Sequence, residues 1–530
     1  MMLQKLPVSQ SDFYFLRTAN YLYIDKTSYI YQMLTSGGQY YFLARPRRFG
    51  KSLLVSTLHE ALVGNKTLFD GLALGNSDYG WQPHGVIKFD LSMLGIEDGV
   101  SLKVGICTIL TNIIDQHGLK ITLNFSNPSL ALQQVVQALH VKFGYVAILI
   151  DEYDSPILHA MGDPKRAIEI RDGLQFFFRT IKGLGRLINF IFITGVTSFS
   201  KAGLFSGLNN LQVLTFDAKY DALCGYTDVE IDHYFTPYLA DWAQNNNGDV
   251  AVIREQLRDW YNGYRFGKKA IAVYNPFSLT NAMSQQELQN FWIQSGTPTF
   301  LIEELKKKYR ASEYQLLNPE KFEVTNDTLG SFDIGMVPLP TLMFQTGYLT
   351  ISSYDAEQNI YHLGYPNREV RTAAQNYLLA VFTSTNAAEI RGIAGQLRTA
   401  YANSDLDEAL AILRTLFAKV PYPIHIPLES YYHSLLQMIC TTANIKTQSE
   451  YNTSHGTIDF VMDLPKVLYV VEVKFNKTAQ LALDQIKTKR YYEPFTDQNK
   501  PIILLGLNFA KSAGNFELTH DYQSNTVNNF

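Results

Sequence analysis

Tyr40-Tyr-Phe-Leu-Ala-Arg-Pro-Arg-Arg-Phe-Gly-Lys-Ser-Leu-Leu54 runs from an apolar stretch through a basic loop into Gly-Lys-Ser, an order that reads as strand, phosphate cradle and helix start. In such a loop the backbone N–H groups wrap a triphosphate, a Lys reaches the β- and γ-phosphates, and a Ser hydroxyl holds Mg²⁺. Lys51 and Ser52 fit those roles, with Arg48, Phe49 and Gly50 leading into them. A helix opening at Lys51 adds the positive end of its dipole. The stretch departs from G-x-x-x-x-G-K-[ST] at one place: Arg45 stands at the first glycine, and Pro46 follows it. Gly-Lys-Ser alone is a common string, so the reading depends on a second, acidic half.

That half is Tyr145-Val-Ala-Ile-Leu-Ile-Asp-Glu-Tyr-Asp154, an apolar run of the length of a buried parallel strand, ending in acids. Asp151 at the strand end can hold the Mg²⁺ shell, and Glu152 beside it can orient an attacking water. A third strand, Leu187–Thr194, leads through Gly195 to Ser198, so Thr194 is expected near the γ-phosphate, unless its hydroxyl only caps the strand. Val86–Ser92 reads as another strand, and 97–116, 127–142 and 165–183 read as helices. Alternating strands and helices predict a doubly wound parallel sheet. Arg166, Arg171, Arg179 and Lys182 on the last helix are first of all a solvated face, and only then candidate arginine fingers.

At 530 residues the chain exceeds what one core organises, and 46% apolar composition makes it globular, so two or three domains are expected. Cys107, Cys224 and Cys440 lie far apart without C-x-x-C spacing, which argues against a disulfide framework or zinc site and for a reducing compartment. With no leader-like N-terminus and no apolar run of about eighteen residues, the expectation is a cytoplasmic protein with no membrane partner. A net charge of −4 gives no global attraction to nucleic acid, so any such contact must be local.

Further along, Lys201–Leu211 is glycine-punctuated and reads as a loop at the pocket's edge. Trp260-Tyr-Asn-Gly-Tyr-Arg-Phe-Gly267 and Tyr274-Asn-Pro-Phe-Ser278 are dense in aromatics and turn formers. Residues 286–375 read as mostly helical, with Gly347–Ser352 and Tyr361–Leu363 as a hairpin, and helical periodicity continues to 419. Pro421, Pro423 and Pro427 punctuate a boundary, with a helix starting near Leu428, and the polar residues from Thr519 read as a frayed tail.

A second constellation follows: Glu429 on a helix, Asp459 in Gly456-Thr-Ile-Asp-Phe-Val-Met462, and Glu472 and Lys474 in Val467-Leu-Tyr-Val-Val-Glu-Val-Lys-Phe475. Residues two apart on a strand share a face, so Glu472 and Lys474 point one way while Val471 and Val473 pack behind. A hairpin would set Asp459 beside Glu472. The carboxylates can then ligate Mg²⁺, and Lys474 can position or activate a water that attacks a phosphodiester. Glu-x-Lys alone is common on exposed strands. The preceding Gly-x-x-Asp, the upstream Glu429 and the downstream helix with Gln485 make a nuclease site of it.

On Tyr23-Ile-Asp-Lys-Thr27, Arg45–Ser52, Leu149–Asp154, Phe205-Ser-Gly-Leu-Asn-Asn210, Trp260–Tyr264, Tyr274–Pro276, Thr346-Gly-Tyr-Leu-Thr350 and Pro366-Asn-Arg-Glu-Val370, the chain resembles a bacterial AAA-ATPase-like family whose members carry a C-terminal PD-(D/E)XK nuclease-like domain. These stretches span nearly the whole chain, and Arg45 becomes a family feature. The resemblance implies an α/β architecture: an AAA-like P-loop domain over 1–285, a mostly helical bridging region over 286–420, a nuclease-like domain over 421–517 and a polar tail over 518–530. It implies ATP and Mg²⁺ as cofactors, with Lys51 and Ser52 at the nucleotide, Asp151 and Glu152 as the second acidic motif, and Asp459, Glu472 and Lys474 as the nuclease motif. The implied partner is nucleic acid, DNA favoured over RNA, and a homo-oligomer is left open. Thr457 departs from the family, which usually carries Arg there; a positive charge near the substrate is lost.

Two functions compete on this reading. One is an ATP-hydrolysing module coupled to a metal-dependent nuclease, which the intact Asp459, Glu472 and Lys474 favour. The other is an ATP-switched scaffold whose nuclease fold binds nucleic acid or protein without cutting, which Thr457 and the acidic net charge favour.

Overall fold

The computed structural model describes residues 3–125, 127–199, 204–205, 208, 210–292, 322–330, 332–333, 338–383, 386–420, 429–498, 500–512 and 515–525. The chain divides into two compact units, one of Met1–Leu305 and Glu320–Val370, the other of Lys306–Pro319 and Arg371–Phe530.

The first unit is built on a five-stranded sheet of order β2-β3-β4-β1-β5, with β1 Tyr40–Ala44, β2 Gly85–Asp90, β3 Val146–Asp151, β4 Phe190–Gly195 and β5 Gln212–Val213. Every pairing is parallel. β1, β3 and β4 are buried at every residue, as strands covered on both faces must be. Helices Gly99–His117 and Pro128–Phe143 join β2 to β3, and Pro164–Gly183 lies between β3 and β4, so the expected doubly wound sheet is present. Local chemistry sets the helix ends: Asp98 forms a capping box, Asn127 and Asp163 accept first-turn N–H groups, and left-handed Gly118 and Gly144 close the first two.

A helical layer follows, with Val250–Tyr261 and Pro276–Gln285 packed around Ile231, Leu257, Tyr261 and Tyr274, and with Leu22 and Ile24 from the lead-in. The expected hairpin is also found: β7 Thr350–Asp355 and β8 Ile360–Gly364 pair antiparallel, and β6 Glu323–Thr325 joins β8. Most of the Lys201–Leu211 loop and the Pro421–Pro427 boundary lie outside the described residues.

The second unit carries helices Ala387–Ala402, Leu406–Ala418, Glu429–Thr442 and Ala479–Thr488, with a mixed sheet of order β13-β12-β11-β10-β9. Its strands are β9 Lys446–Thr453, β10 Gly456–Asp463, β11 Leu468–Phe475, β12 Ile502–Ser512 and β13 Asn515–Asn525. This corrects the expected tail at 518–530: Leu518 to Asn525 pair antiparallel with Phe509 to Ile502 as an edge strand. Its polar composition is that of a strand whose exposed face meets water, a pattern with no apolar run to announce it.

Candidate functional site

β1 delivers the chain to the carboxyl edge of the sheet, where β4 separates it from β3, so the loop after β1 and the acids after β3 open on the same edge. That edge is where open α/β sheets bind ligands. Gly50, at φ +88°, turns the loop into the helix Lys51–Leu62. Arg48 (φ +71°) and Glu152 (φ +48°) also lie in the left-handed region, a strained conformation for residues with a Cβ, and one that gathers at functional sites. Arg48, Gly50, Lys51, Ser52 and Glu152 line an open cavity of about 200 Å³. Tyr226, Phe277 and Thr280 also line it; Phe277 belongs to the aromatic stretch Tyr274–Ser278, while no local motif announced Tyr226 or Thr280.

Lys51 is 3% exposed; its Nζ donates to the Pro46 carbonyl at 3.2 Å and stands 3.3 Å from Glu152 Oε1. Burial pushes Asp151 up to about 6, opposed by the facing Ser52 hydroxyl and by Lys51. Asp151 Oδ1 also accepts the Glu152 N–H at 3.0 Å. Lys51, Ser52 and Glu152 therefore share one cavity, and Asp151, outside its lining, reaches it through the Ser52 hydroxyl.

Three outcomes differ from expectation or go beyond it. Thr194 does not reach the cavity: wholly buried, its hydroxyl donates to the Leu43 carbonyl at 2.8 Å, so it caps the β1–β4 pairing. Phe49 contributes only backbone to the loop, since its ring turns away, edge-on to Tyr264 at 4.7 Å. Asp154, which the acidic motif contains but local reading gave no role, is wholly buried and accepts from Val196 N, Thr197 N and the Thr197 hydroxyl, pinning the exit of β4 to that of β3. The spacing Asp-x-x-Asp was its only signal. Among the finger candidates, Arg166 pairs with Glu97 and Arg171 with Asp172, both on the surface.

Arg45 is 1% exposed and has no role at the cavity. Its guanidinium donates to the carbonyls of Ala44 (3.0 Å), Thr215 (2.9 Å) and Tyr220 (3.4 Å) and lies 4.2 Å from the Phe266 ring centroid. It ties the loop's first residue to the chain after β5. Arg48 is held the same way over Phe277, 3.9 Å from its centroid.

In the second unit the antiparallel register Phe460↔Val471 sets Asp459 abreast of Glu472, as the hairpin reading expected. Gly506, paired with Glu472, allows the helix Ala479–Thr488 to lie against β12: a Cβ there would stand 2.3 Å from the Ala479 carbonyl oxygen. That close approach brings Gln485 to donate to Glu472 Oε1, which also accepts from Lys474 Nζ at 2.9 Å. Glu472 is 2% exposed, and its Oε2 is buried without a hydrogen-bond partner among the described residues. Burial first, and Asp459 second, push Glu472 up to about 7. Burial works against the Lys474 ammonium, but Glu472, Glu429 and Asp459 together hold it above its ordinary value.

Asp459, also raised by burial, accepts the Val473 N–H at 2.7 Å. Glu429 accepts from Phe475 N at 3.2 Å and stands 3.5 Å from Lys474 Nζ. His433, one turn beyond Glu429, shares a hydrogen bond with the Asp459 carbonyl at 3.1 Å and stacks on Phe460. Among the described residues no three His, Cys, Asp or Glu side chains are grouped as a metal cage. The donor set nevertheless suits a hard cation: Asp459 and Glu472 are paired carboxylates, and Glu472 Oε2 is left without a hydrogen-bond partner among the described residues. At the first site Ser52 and Asp151 make the equivalent pair.

A family model described as a predicted AAA-ATPase matches residues 7–205, and one for the PD-(D/E)XK nuclease superfamily matches 428–517. A protein of Azotobacter chroococcum mcd 1, named only as uncharacterized and lying in the vnfD 5' region, is 34% identical over 523 residues, covering 96% of this chain and 97% of its own length. Among solved structures, the Aeropyrum pernix ORC1 protein in complex with DNA is 12% identical (TM-score 0.24, 66% of this chain and 91% of that one). The A. pernix ORC2 protein in ADPNP–ADP complexes is 13% identical (TM-score 0.22, 67% and 92%). Among the described residues no helix is long and apolar enough to cross a membrane.

Proposed function

The chain belongs to the predicted AAA-ATPase family and carries a PD-(D/E)XK nuclease superfamily domain at its C-terminus, and from that premise we propose that it binds and hydrolyses ATP in the first unit, coupled to Mg²⁺-dependent cleavage of nucleic acid, DNA before RNA, in the second. Lys51 binds the β- and γ-phosphates, Ser52 and Asp151 hold Mg²⁺, and Glu152 orients the attacking water. Asp459 and Glu472 hold the second Mg²⁺, which supplies Lewis acidity at the scissile phosphate. Lys474, kept protonated by three carboxylates, positions the water and faces the charge that develops in the transition state. A cytoplasmic setting is part of the proposal, in keeping with three buried, unpaired cysteines.

The observation that carries the nuclease reading is Glu472 Oε2, buried on a residue that neighbours Asp459 and Lys474 and without a hydrogen-bond partner among the described residues. A second reading, an ATP-switched scaffold that binds without cutting, is favoured by the commitment of Asp459 Oδ2 to the Val473 N–H. Purified protein incubated with single- and double-stranded DNA and RNA, with Mg²⁺ or Mn²⁺ and with or without ATP, separates them. Metal-dependent cutting lost in Glu472→Gln supports the nuclease; binding without cutting under every condition supports the scaffold.

A further inference from the structure

Trp260–Tyr264, Tyr274–Pro276, Thr346–Thr350 and Pro366–Val370 supply no side chain to which the proposed nucleotide chemistry gives a role, yet Tyr264, Pro276 and Gly347 lie against the phosphate loop or its cavity. Phe49, 1% exposed, rests its ring on Tyr264 at 4.7 Å and on Phe266 at 5.5 Å. Tyr264 is fixed in turn by a backbone bridge with Val273 and by Gly263 before it. Gly263, at φ +112°, lies so close to Pro366 that a Cβ would stand 1.8 Å from the Pro366 carbonyl oxygen. Gly347, at φ +90°, lies close to the loop itself: a Cβ would stand 2.8 Å from Pro46 Cβ. No other residue type fits either place.

Glu369 closes the arrangement. It is wholly buried, its Oε1 accepts the N–H groups of Phe291 (2.7 Å) and Trp292 (2.8 Å), and the Trp292 ring rests on Tyr348 at 5.0 Å. Burial, then the nearby Glu369 carboxylate, holds the Tyr264 phenol well above its ordinary value. A phosphate cradle acts through the preset spacing of its N–H groups, and such spacing lasts only where a supporting shell is itself locked by packing.

We infer that Tyr264 and Glu369 are positioning residues of the phosphate loop: Glu369 locks the 291–292 segment against 366–369, these carry Tyr264, and Tyr264 holds Phe49 so that the N–H groups from Phe49 to Ser52 keep the spacing an anion needs. This rests on the ATP-binding reading.

The test is the calorimetric affinity of the full chain for MgATP, with melting temperatures measured in parallel. Phe49→Ala, Tyr264→Leu and Glu369→Ala should each weaken binding about tenfold, the upper range for one aromatic pair. Tyr264→Phe keeps the ring and Glu369→Gln keeps the Oε1 acceptor, so both should bind like the wild type. Phe49→Ala combined with Glu369→Ala should bind no worse than the weaker single variant, because both cut the same chain of contacts. Lowered melting temperatures with unchanged affinity in Phe49→Ala and Tyr264→Leu, or losses that multiply in the double variant, overturn the inference. If Glu369→Ala does not fold, Tyr264→Leu against Tyr264→Phe decides alone. A wild type that binds no ATP, with Lys51→Ala no different, instead overturns the ATP reading and takes this inference with it.

Discussion

Lys51 Nζ stands 3.3 Å from Glu152 Oε1, so the ammonium proposed to bind phosphate is paired with the carboxylate proposed to orient the attacking water. On that proposal ATP and Glu152 compete for Lys51. Glu152→Gln should therefore bind ATP at least as tightly as the wild type while hydrolysing it about 10²- to 10⁴-fold more slowly, the usual contribution of a general acid–base residue. Lys51→Ala should abolish binding, since among the described residues no other ammonium lines the cavity. Calorimetry with single-turnover hydrolysis measures both; ATP affinity unchanged in Lys51→Ala sinks the phosphate-loop assignment.

The three residues proposed for the nuclease should fail differently. Asp459→Ala and Glu472→Ala each remove an oxygen ligand and weaken Mg²⁺ binding. Lys474→Met should leave Mg²⁺ binding at least as strong, since a competing cation has gone, yet lower cleavage about 10²-fold or more. Titration of Mn²⁺ followed by electron paramagnetic resonance, beside a cleavage assay, separates the two effects. Equal cleavage by the wild type and all three variants would assign the activity to a contaminant.

Restoring the usual glycine at the head of the phosphate loop should harm the protein. Arg45→Gly removes three buried hydrogen bonds and a ring contact, and leaves the Tyr220 carbonyl only the Leu223 N–H. A loss of roughly 3 kcal/mol or more is expected, the scale of a broken buried polar network. Chemical denaturation followed through the first unit tests it; a variant as stable as the wild type would show that Arg45 does not anchor the loop.

Glu369 also makes a prediction about pH. Burial raises its carboxyl from 4.5 to about 7 in the folded chain, partly opposed by the Phe291 and Trp292 N–H groups. A group raised on folding stabilises the fold below its unfolded pKa, and that contribution is lost as pH climbs through the folded value. Relative to Glu369→Gln, which has no proton to lose, the wild type should lose up to roughly 3 kcal/mol between pH 4.5 and 7.5. Melting curves of both proteins across that range should diverge as pH rises; parallel curves would contradict a neutral buried Glu369.

Much of this molecule is legible locally. A five-residue apolar run before Gly-Lys-Ser, another before Asp151-Glu152, and Glu472-x-Lys474 on a strand are patterns of one or two short elements, and covalent neighbours enforce them whatever the rest of the chain does. The parallel sheet follows from strands alternating with helices, and the Asp459–Glu472 pairing from two strands joined by a short turn. Burial and partners at long range were not legible. Whether Thr194 faces a phosphate or the Leu43 carbonyl, whether Arg45 is a cradle residue or an anchor for Thr215 and Tyr220, and whether Leu518–Asn525 frays or pairs with β12 depend on what folding brings alongside. Composition carries no record of that neighbour. The same holds for Tyr264 and Glu369: their segments, 105 residues apart in the chain, share one surface only after the tertiary structure has buried both, and burial is what turns an aromatic and a carboxylate into a support for Phe49.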